Sequence, residues 1–351
     1  MGFRVTLHPS GHSFEAAEGQ NVLKSALEAG YNLPYSCRAG GCSTCKAHIA
    51  DGTVDHALST ETYLPHWMRE QGFALLCQAK PKSDLTIEIE ELKLHLATPS
   101  VVPCRVKQIR KVAPDVVVLH LRTPYNDNML FAAGQYIDFL LDGGKRRSYS
   151  IATPPMLETG MMDIEIHVRH NPGGLFTDRV FNKLKVNEVL KFEGPLGTFY
   201  LREESAKPII FLASGTGFGP IKAMIEHANR RKLSETRPIA LYWGCRSKQD
   251  LYMLETAQQW AAEMPNFTFV PVLSEPLAED EWTGRTGFVH RAVMEDFPDL
   301  SGHQVYACGA PIMVDSARKD FVATGGLPPM EFFADSFLTE AELGQASPAT
   351  V

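Results

Sequence analysis

The 351-residue sequence contains no apolar run long enough to cross a bilayer and no cluster of lysines and arginines. The first absence excludes a hydrophobic helical span. The second, together with a net charge of -7, argues against a nucleic-acid partner, because phosphate binding depends on concentrated positive charge. The opening MGFRVTLHPSGHSF alternates like a strand and carries no apolar leader, so a cytoplasmic location is expected. No internal repeat is present. Cysteine is scarce and odd in number, at seven, which disfavours a disulfide framework and leaves metal ligation or isolated buried thiols. With 44% apolar and 21% charged residues, the composition is that of a globular chain long enough for two or three cores.

The cysteines are unevenly spread, and the hydrophobic rhythm changes twice. Residues 1–96 hold four of them and read as strands (FRVTL, LTIEIE) crossed by a helix, NVLKSALEAG, that ends at Gly30. Residues 97–103, ATPSVVP, read as a linker. From 104 to 203 short strand patterns follow one another (VVVLHLRTP, GQYIDFLL, RRSYSIA, MDIEIHVRH), predicting an antiparallel barrel. One helix interrupts it, with Leu175, Val180 and Leu184 at helical spacing. From 204 to 338 solid apolar runs such as PIIFLAS alternate with helices, predicting a doubly wound parallel α/β domain. Residues 339–351 read as a flexible tail.

Cys37-x4-Cys42-x2-Cys45, followed after 31 residues by Cys77, is the plant-type ferredoxin spacing that holds a 2Fe–2S cluster. Two bridged irons need four thiolates from one loop and one distant segment. Gly40 and Gly41 are expected to adopt positive φ and let the chain wrap the cluster. A four-cysteine zinc site normally uses two short C-x2-C elements, and the second is missing.

Three further patterns bear on cofactors. RRSYS places Arg147, Ser148, Tyr149 and Ser150 at a strand end, and GGLFT places Gly173 and Gly174 before a helix with Thr177 in its first turn, a seat for a pyrophosphate. GTGFGP, with Gly215, Thr216, Gly217 and Pro220, lies between a buried strand and a helix, the context of a nucleotide-binding turn. YACGAP sets Cys308 and Gly309 at the end of a late strand. In YWGCRSKQDLY, Arg246 and Asp250 are candidate adenosine contacts, with an ordinary exposed loop explaining them almost as well. Nothing at the strand ends selects NADH over NADPH. The aromatics of FFADSF, Phe337 foremost, are candidates to cover a flavin.

These residues together resemble the ferredoxin–NADP⁺ reductase superfamily, in its bacterial iron–sulfur flavoproteins with an N-terminal plant-type ferredoxin domain. Arg147-Ser148-Tyr149-Ser150 resembles the superfamily's flavin motif, which implies Arg147 on the pyrophosphate, the Tyr149 ring against the isoalloxazine and Ser150 near its reactive nitrogen. GTGFGP departs from the usual G-T-G-x-A-P by having Gly219 in place of alanine. Cys308 corresponds to a thiol beside the nicotinamide. The resemblance implies a β-grasp ferredoxin domain, a six-stranded FAD-binding barrel and an NAD(P)-binding α/β domain. It also implies hydride transfer from NADH or NADPH to FAD, and single electrons through the 2Fe–2S cluster to a partner protein. LHPSGHSF, GQYIDF, WTGRTGFVH and FFADSF look more like the CDP-6-deoxyglucoseen reductase branch, serving a dehydrase, than the branch serving Rieske or diiron oxygenases.

Overall fold

The computed structural model describes residues 2–57, 59, 61, 63–92, 98–124, 129–155 and 163–337. By compactness the chain divides into two units: residues 1–96 together with the C-terminal end from Asp335, and Ala97–Ala334. The tail expected over 339–351 lies outside the described residues.

The first unit holds a five-stranded sheet in the order Ser13–Ala17, Gly2–His8, Leu85–Glu88, Lys46–Asp51, Phe73–Leu75. Gly2–His8 and Leu85–Glu88 run parallel, and the remaining neighbours are antiparallel. The helix Val22–Glu28 begins where the side chain of Asn21 accepts from the Lys24 N–H at 2.8 Å, an N-cap that satisfies an otherwise orphaned donor. It buries Val22, Leu23 and Ala26 into a core shared with Val5, Leu7, Leu75 and Ile87.

The second unit contains two sheets. The first is antiparallel, in the order Arg146–Ser150, Tyr136–Leu140, Val189–Leu196, Ser100–Ala113, Val116–Arg122, Asp163–Arg169. A bridge between Ile151 and Ile166 joins its two edge strands, so the sheet closes into a six-stranded barrel and leaves no open edge. Ser100–Pro103 belong to this barrel and not to a linker, since they pair with Gly194–Lys191. Pro103 is tolerated because the strand has a neighbour on only one side there, so the missing N–H breaks no second ladder. Phe139, Phe176 and Phe192 fill the interior. The helix Leu175–Asn182 faces that core through Phe176 and Val180, while Leu175 is half exposed. Of the expected apolar positions Val180 and Leu184 are buried, and Phe176 takes the place of Leu175.

The other sheet has the order Arg285–Thr286, Phe267–Leu273, Ile239–Cys245, Ile209–Ser214, Gln304–Gly309, Phe332–Ser336. The first five strands run parallel. Every residue of Ile239–Cys245 is buried, as a strand covered by helices on both faces requires. Among the described residues no helix is long and apolar enough to cross a membrane.

Candidate cluster, flavin and nucleotide sites

The four N-terminal cysteines come together in two pairs, Cys37 with Cys42 and Cys45 with Cys77, each joined by a thiol hydrogen bond. Among the described residues no three His, Cys, Asp or Glu side chains close around a single ion. Two pairs are what a binuclear cluster needs, with two thiolates for each iron, and a mononuclear zinc site is a poor fit. The hydrogen bond from Cys37, working against burial, brings the Cys42 thiol down to about 6. Cys77 is lowered by its bond from Cys45, again against burial. Within each pair the thiol hydrogen bond thus favours the charged form of one sulfur over the other. The N–H groups of Ala39 and Gly41 donate to Cys37 Sγ at 3.4 Å, and that of Cys37 to Cys42 Sγ at 3.5 Å. Left-handed backbone occurs at Arg38, Gly40 and Ser43. Gly41 is not among them and serves as a donor instead. Next to Cys37, Ser36 donates its hydroxyl to Asp335.

In the strand Arg146–Ser150 side chains alternate between two faces. Tyr149 turns toward Phe139 and the helix, with its ring 5.1 Å from that of Phe176, and burial pushes its phenol up. Arg147 shares that face and donates Nη1 to the carbonyl of Arg146 at 2.7 Å. Ser148 lies on the other face, where its hydroxyl donates to Asp138 at 2.6 Å. The strand brings Arg147 and Tyr149 together and directs Ser148 elsewhere, and Ser150 is buried at the strand end. Gly173 has φ +83° and Gly174 caps the following helix. The Thr177 hydroxyl turns back to the Asn171 carbonyl at 2.8 Å, bracing this turn. Arg147, Tyr149 and a helix N-terminus on one barrel fit a flavin with a pyrophosphate tail.

Gly215–Gly217 form one tight turn that runs into the helix Phe218–Arg230, with Thr216 half-buried beside it and Pro220 in the first helical turn. Pro220 is tolerated there because first-turn N–H groups have no intrahelical acceptor. A Cβ on Gly217 would lie 2.1 Å from the Cys308 carbonyl oxygen, and one on Gly309 2.2 Å from Ser214 Oγ. Interlocking glycines thus hold the turn against the strand end that carries the fully buried Cys308, the close strand–turn–helix packing of a dinucleotide-binding turn. Beneath the turn Trp243 donates Nε1 to the Gly215 carbonyl at 3.1 Å and stacks on Phe218 at 3.9 Å. Asp250 is engaged locally, capping a turn by accepting from Ser247 N–H at 3.1 Å, and Arg246 is exposed. Phe337 falls with Asp335 in the first unit. Phe333, the other unassigned aromatic of FFADSF, stacks on Tyr306 at 4.9 Å and below the Arg202 guanidinium.

Sequence pattern does not single out Arg169, which closes the strand Asp163–Arg169. Its guanidinium nitrogen comes within 2.8 Å of where a Gly215 Cβ would be, and it pairs with Asp115 at 3.1 Å. The available signal was a basic residue ending a strand just before the GG turn.

Comparison with known proteins matches residues 5–82 to the 2Fe-2S iron-sulfur cluster binding domain, 103–200 to the oxidoreductase FAD-binding domain and 211–319 to the oxidoreductase NAD-binding domain. The chain is 40% identical to the CDP-6-deoxy-L-threo-D-glycero-4-hexulose-3-dehydrase reductase of Yersinia pseudotuberculosis, over 96% of this chain and 99% of that one. It is 35% identical to reductase component 2 of the terephthalate 1,2-dioxygenase of a Comamonas species, over 97% and 98%. The crystal structure of an Amycolatopsis cytochrome P450 reductase superposes with a TM-score of 0.77 at 32% identity, covering 95% of this chain and 98% of that one. Paired thiols fall within the iron-sulfur domain match and the glycine-rich turn within the NAD-binding one, and the chain belongs to the NAD(P)H-dependent reductases that carry FAD and a 2Fe–2S cluster.

Proposed function

We propose that this reductase supplies electrons to a 3-dehydrase acting on a CDP-linked deoxyhexulose. The observation that carries this reading is the 40% identity, over 96% of the chain, to a reductase of that description. Reductase components of oxygenases reach 35%, and an oxygenase component is the second candidate acceptor. In the cell we place the protein in the cytoplasm, where its seven cysteines, none of them in a disulfide, stay reduced.

The working parts are assigned to residues 1–96 for the cluster, 104–203 for FAD and 204–338 for the nicotinamide nucleotide. Bound FAD would supply a two-electron hydride acceptor for the nicotinamide, and a bound 2Fe–2S cluster a one-electron relay to the partner. The chain's own residues position these groups. Cys37, Cys42, Cys45 and Cys77 ligate the irons. Arg147 and the helix start at Gly173, Gly174 and Thr177 neutralise the FAD pyrophosphate, while Tyr149 and Ser150 orient the ring. Gly215, Thr216, Gly217 and Pro220 seat the nucleotide, and Cys308 with Gly309 holds the nicotinamide end.

Anaerobic mixing of the NADH-reduced protein with purified acceptors tests the partner. Reoxidation by the hexulose 3-dehydrase, and none by a dioxygenase component, is the expected result. The reverse preference would assign the protein to the oxygenase branch.

A further inference from the structure

The barrel strand Asp163–Arg169 and the nucleotide helix Phe218–Arg230 meet over ionisable side chains that belong to neither cofactor motif. His167 has only 1% of its side chain exposed. Its Nε2 lies 2.8 Å from Glu165 Oε1 and its Nδ1 2.8 Å from the Tyr252 hydroxyl. A neutral ring donating through Nε2 and accepting at Nδ1 satisfies both bonds. Lys222, also buried, donates Nζ to the Ala152 carbonyl at 3.1 Å and lies 3.4 Å from Glu165 and 3.0 Å from Glu226. His120 approaches the second oxygen of Glu165 at 3.6 Å.

The connections made by this network are specific. Ala152 lies two residues beyond Ser150, and Lys222 five beyond Gly217. Tyr252 ends the YWGCRSKQDLY loop. Between these points Phe218 stacks over His167 at 6.4 Å. At Gly219 an added Cβ would sit 3.4 Å from His167 Nδ1 and 3.5 Å from the Ala152 Cβ. The flavin strand and the dinucleotide turn are thereby joined through one short set of contacts. Buried charges are costly unless paired and hydrogen-bonded, and an apolar junction of similar size would hold as well. What directional bonds add is a single register between the two surfaces.

We infer that Lys222 is a positioning residue for hydride transfer. By donating to the Ala152 carbonyl between Glu165 and Glu226, it fixes the dinucleotide turn relative to the flavin strand, and His167 and Tyr252 fix the far side of the same junction. Lys222 touches no reacting atom and acts through the Ala152 backbone. This inference rests on the assignment of flavin to Arg146–Ser150 and of nucleotide to Gly215–Pro220.

The test is anaerobic stopped-flow reduction of the flavin by NADH in the holoenzyme. Because transfer is steep in donor–acceptor geometry, Lys222→Met is expected to lower the limiting rate about tenfold or more while the apparent Kd for NADH moves less than about threefold. Lys222→Arg, which can still donate to Ala152, recovers most of the rate. Should Lys222→Met fail to retain flavin, Glu226→Gln keeps the side-chain shape and is expected to lower the same limiting rate by about threefold. A wild-type limiting rate in flavin-loaded Lys222→Met, or in Glu226→Gln when the first variant does not fold, overturns the inference. So does an effect confined to thermal stability or to Kd. Retention of flavin by Arg147→Ala together with undiminished NADH oxidation by Gly217→Ala would instead refute the underlying site assignment.

Discussion

The carbonyl oxygen of Cys308 lies 2.1 Å from where a Cβ on Gly217 would stand. The obstacle is backbone, so nothing flexible can yield. Gly217→Ala is therefore expected to displace the turn and reduce NADH oxidation about a hundredfold, the scale of an ångström-sized misplacement. The flavin and cluster absorbance should stay unchanged, and steady-state kinetics with an artificial acceptor measures the loss.

Gly219 predicts the opposite. A methyl group there meets His167 and Ala152 at 3.4 and 3.5 Å, ordinary contact distances. Because alanine is the better helix former, Gly219→Ala should be neutral or stabilising by up to about 1 kcal/mol. Thermal unfolding of the holoprotein gives the comparison, and a loss of several kcal/mol would mean that the junction is tighter than described.

Only the paired thiols should matter for the iron–sulfur chromophore. Cys77→Ser removes half of one pair and is expected to abolish the visible cluster absorbance and the acid-labile sulfide. Cys104 sits in the barrel, where burial pushes its thiol up to about 12. Cys104→Ser should leave the cluster spectrum intact.

Adjacent residues of RRSYS should separate cleanly. Ser148 is bonded to Asp138 on the face opposite Tyr149, so Ser148→Ala should retain FAD. Arg147→Ala removes a guanidinium from the face proposed for the flavin and should weaken FAD binding by at least about tenfold, the scale of one charge-assisted bond. Flavin fluorescence released on dilution reports both.

Acid should weaken the junction in two stages. Burial holds His167 below its ordinary value of 6.5, outweighing the pull of Glu165. Burial alone would raise Glu165, but the His167 hydrogen bond and the Lys222 charge overcome it and hold the carboxyl at about 2, against 4.5 ordinarily. Both groups bind protons more weakly when folded, so both favour the folded state at higher pH. The His167 contribution is complete above 6.5 and lost as pH falls below it. That of Glu165 is complete above 4.5 and lost toward 2. Urea midpoints should fall between about pH 7.5 and pH 5, and His167→Gln should flatten that slope, whereas Glu165→Gln should lower the midpoint at every pH above 4.5 and flatten the fall below it.

Chemistry confined to a short stretch was legible in the sequence. The cysteine spacing, the strand–turn–helix at GTGFGP and the solid apolar strands each determine their surroundings within a few residues. What escaped depends on partners far along the chain. DIEIHVR alternates as though one face met solvent, yet its His167 faces a second module that buries it. Lys222 reads as a surface lysine on an amphipathic helix for the same reason. Ser100–Pro103 resembled a linker because proline usually leaves a strand, and only the one-sided pairing explains its place. Leu175 matched a helical spacing that the better-packing Phe176 claimed instead.

The two cysteine pairs carry a last consequence. Cys45 and Cys77 are separated by 31 residues that include the strands Lys46–Asp51 and Phe73–Leu75. Metal bound to that pair acts as a staple across the sheet, restricting the unfolded chain much as a covalent cross-link of that span would, by roughly 3 to 4 kcal/mol. Iron-depleted protein is therefore expected to open its N-terminal unit at a lower temperature than the holoprotein, beyond any change in its colour.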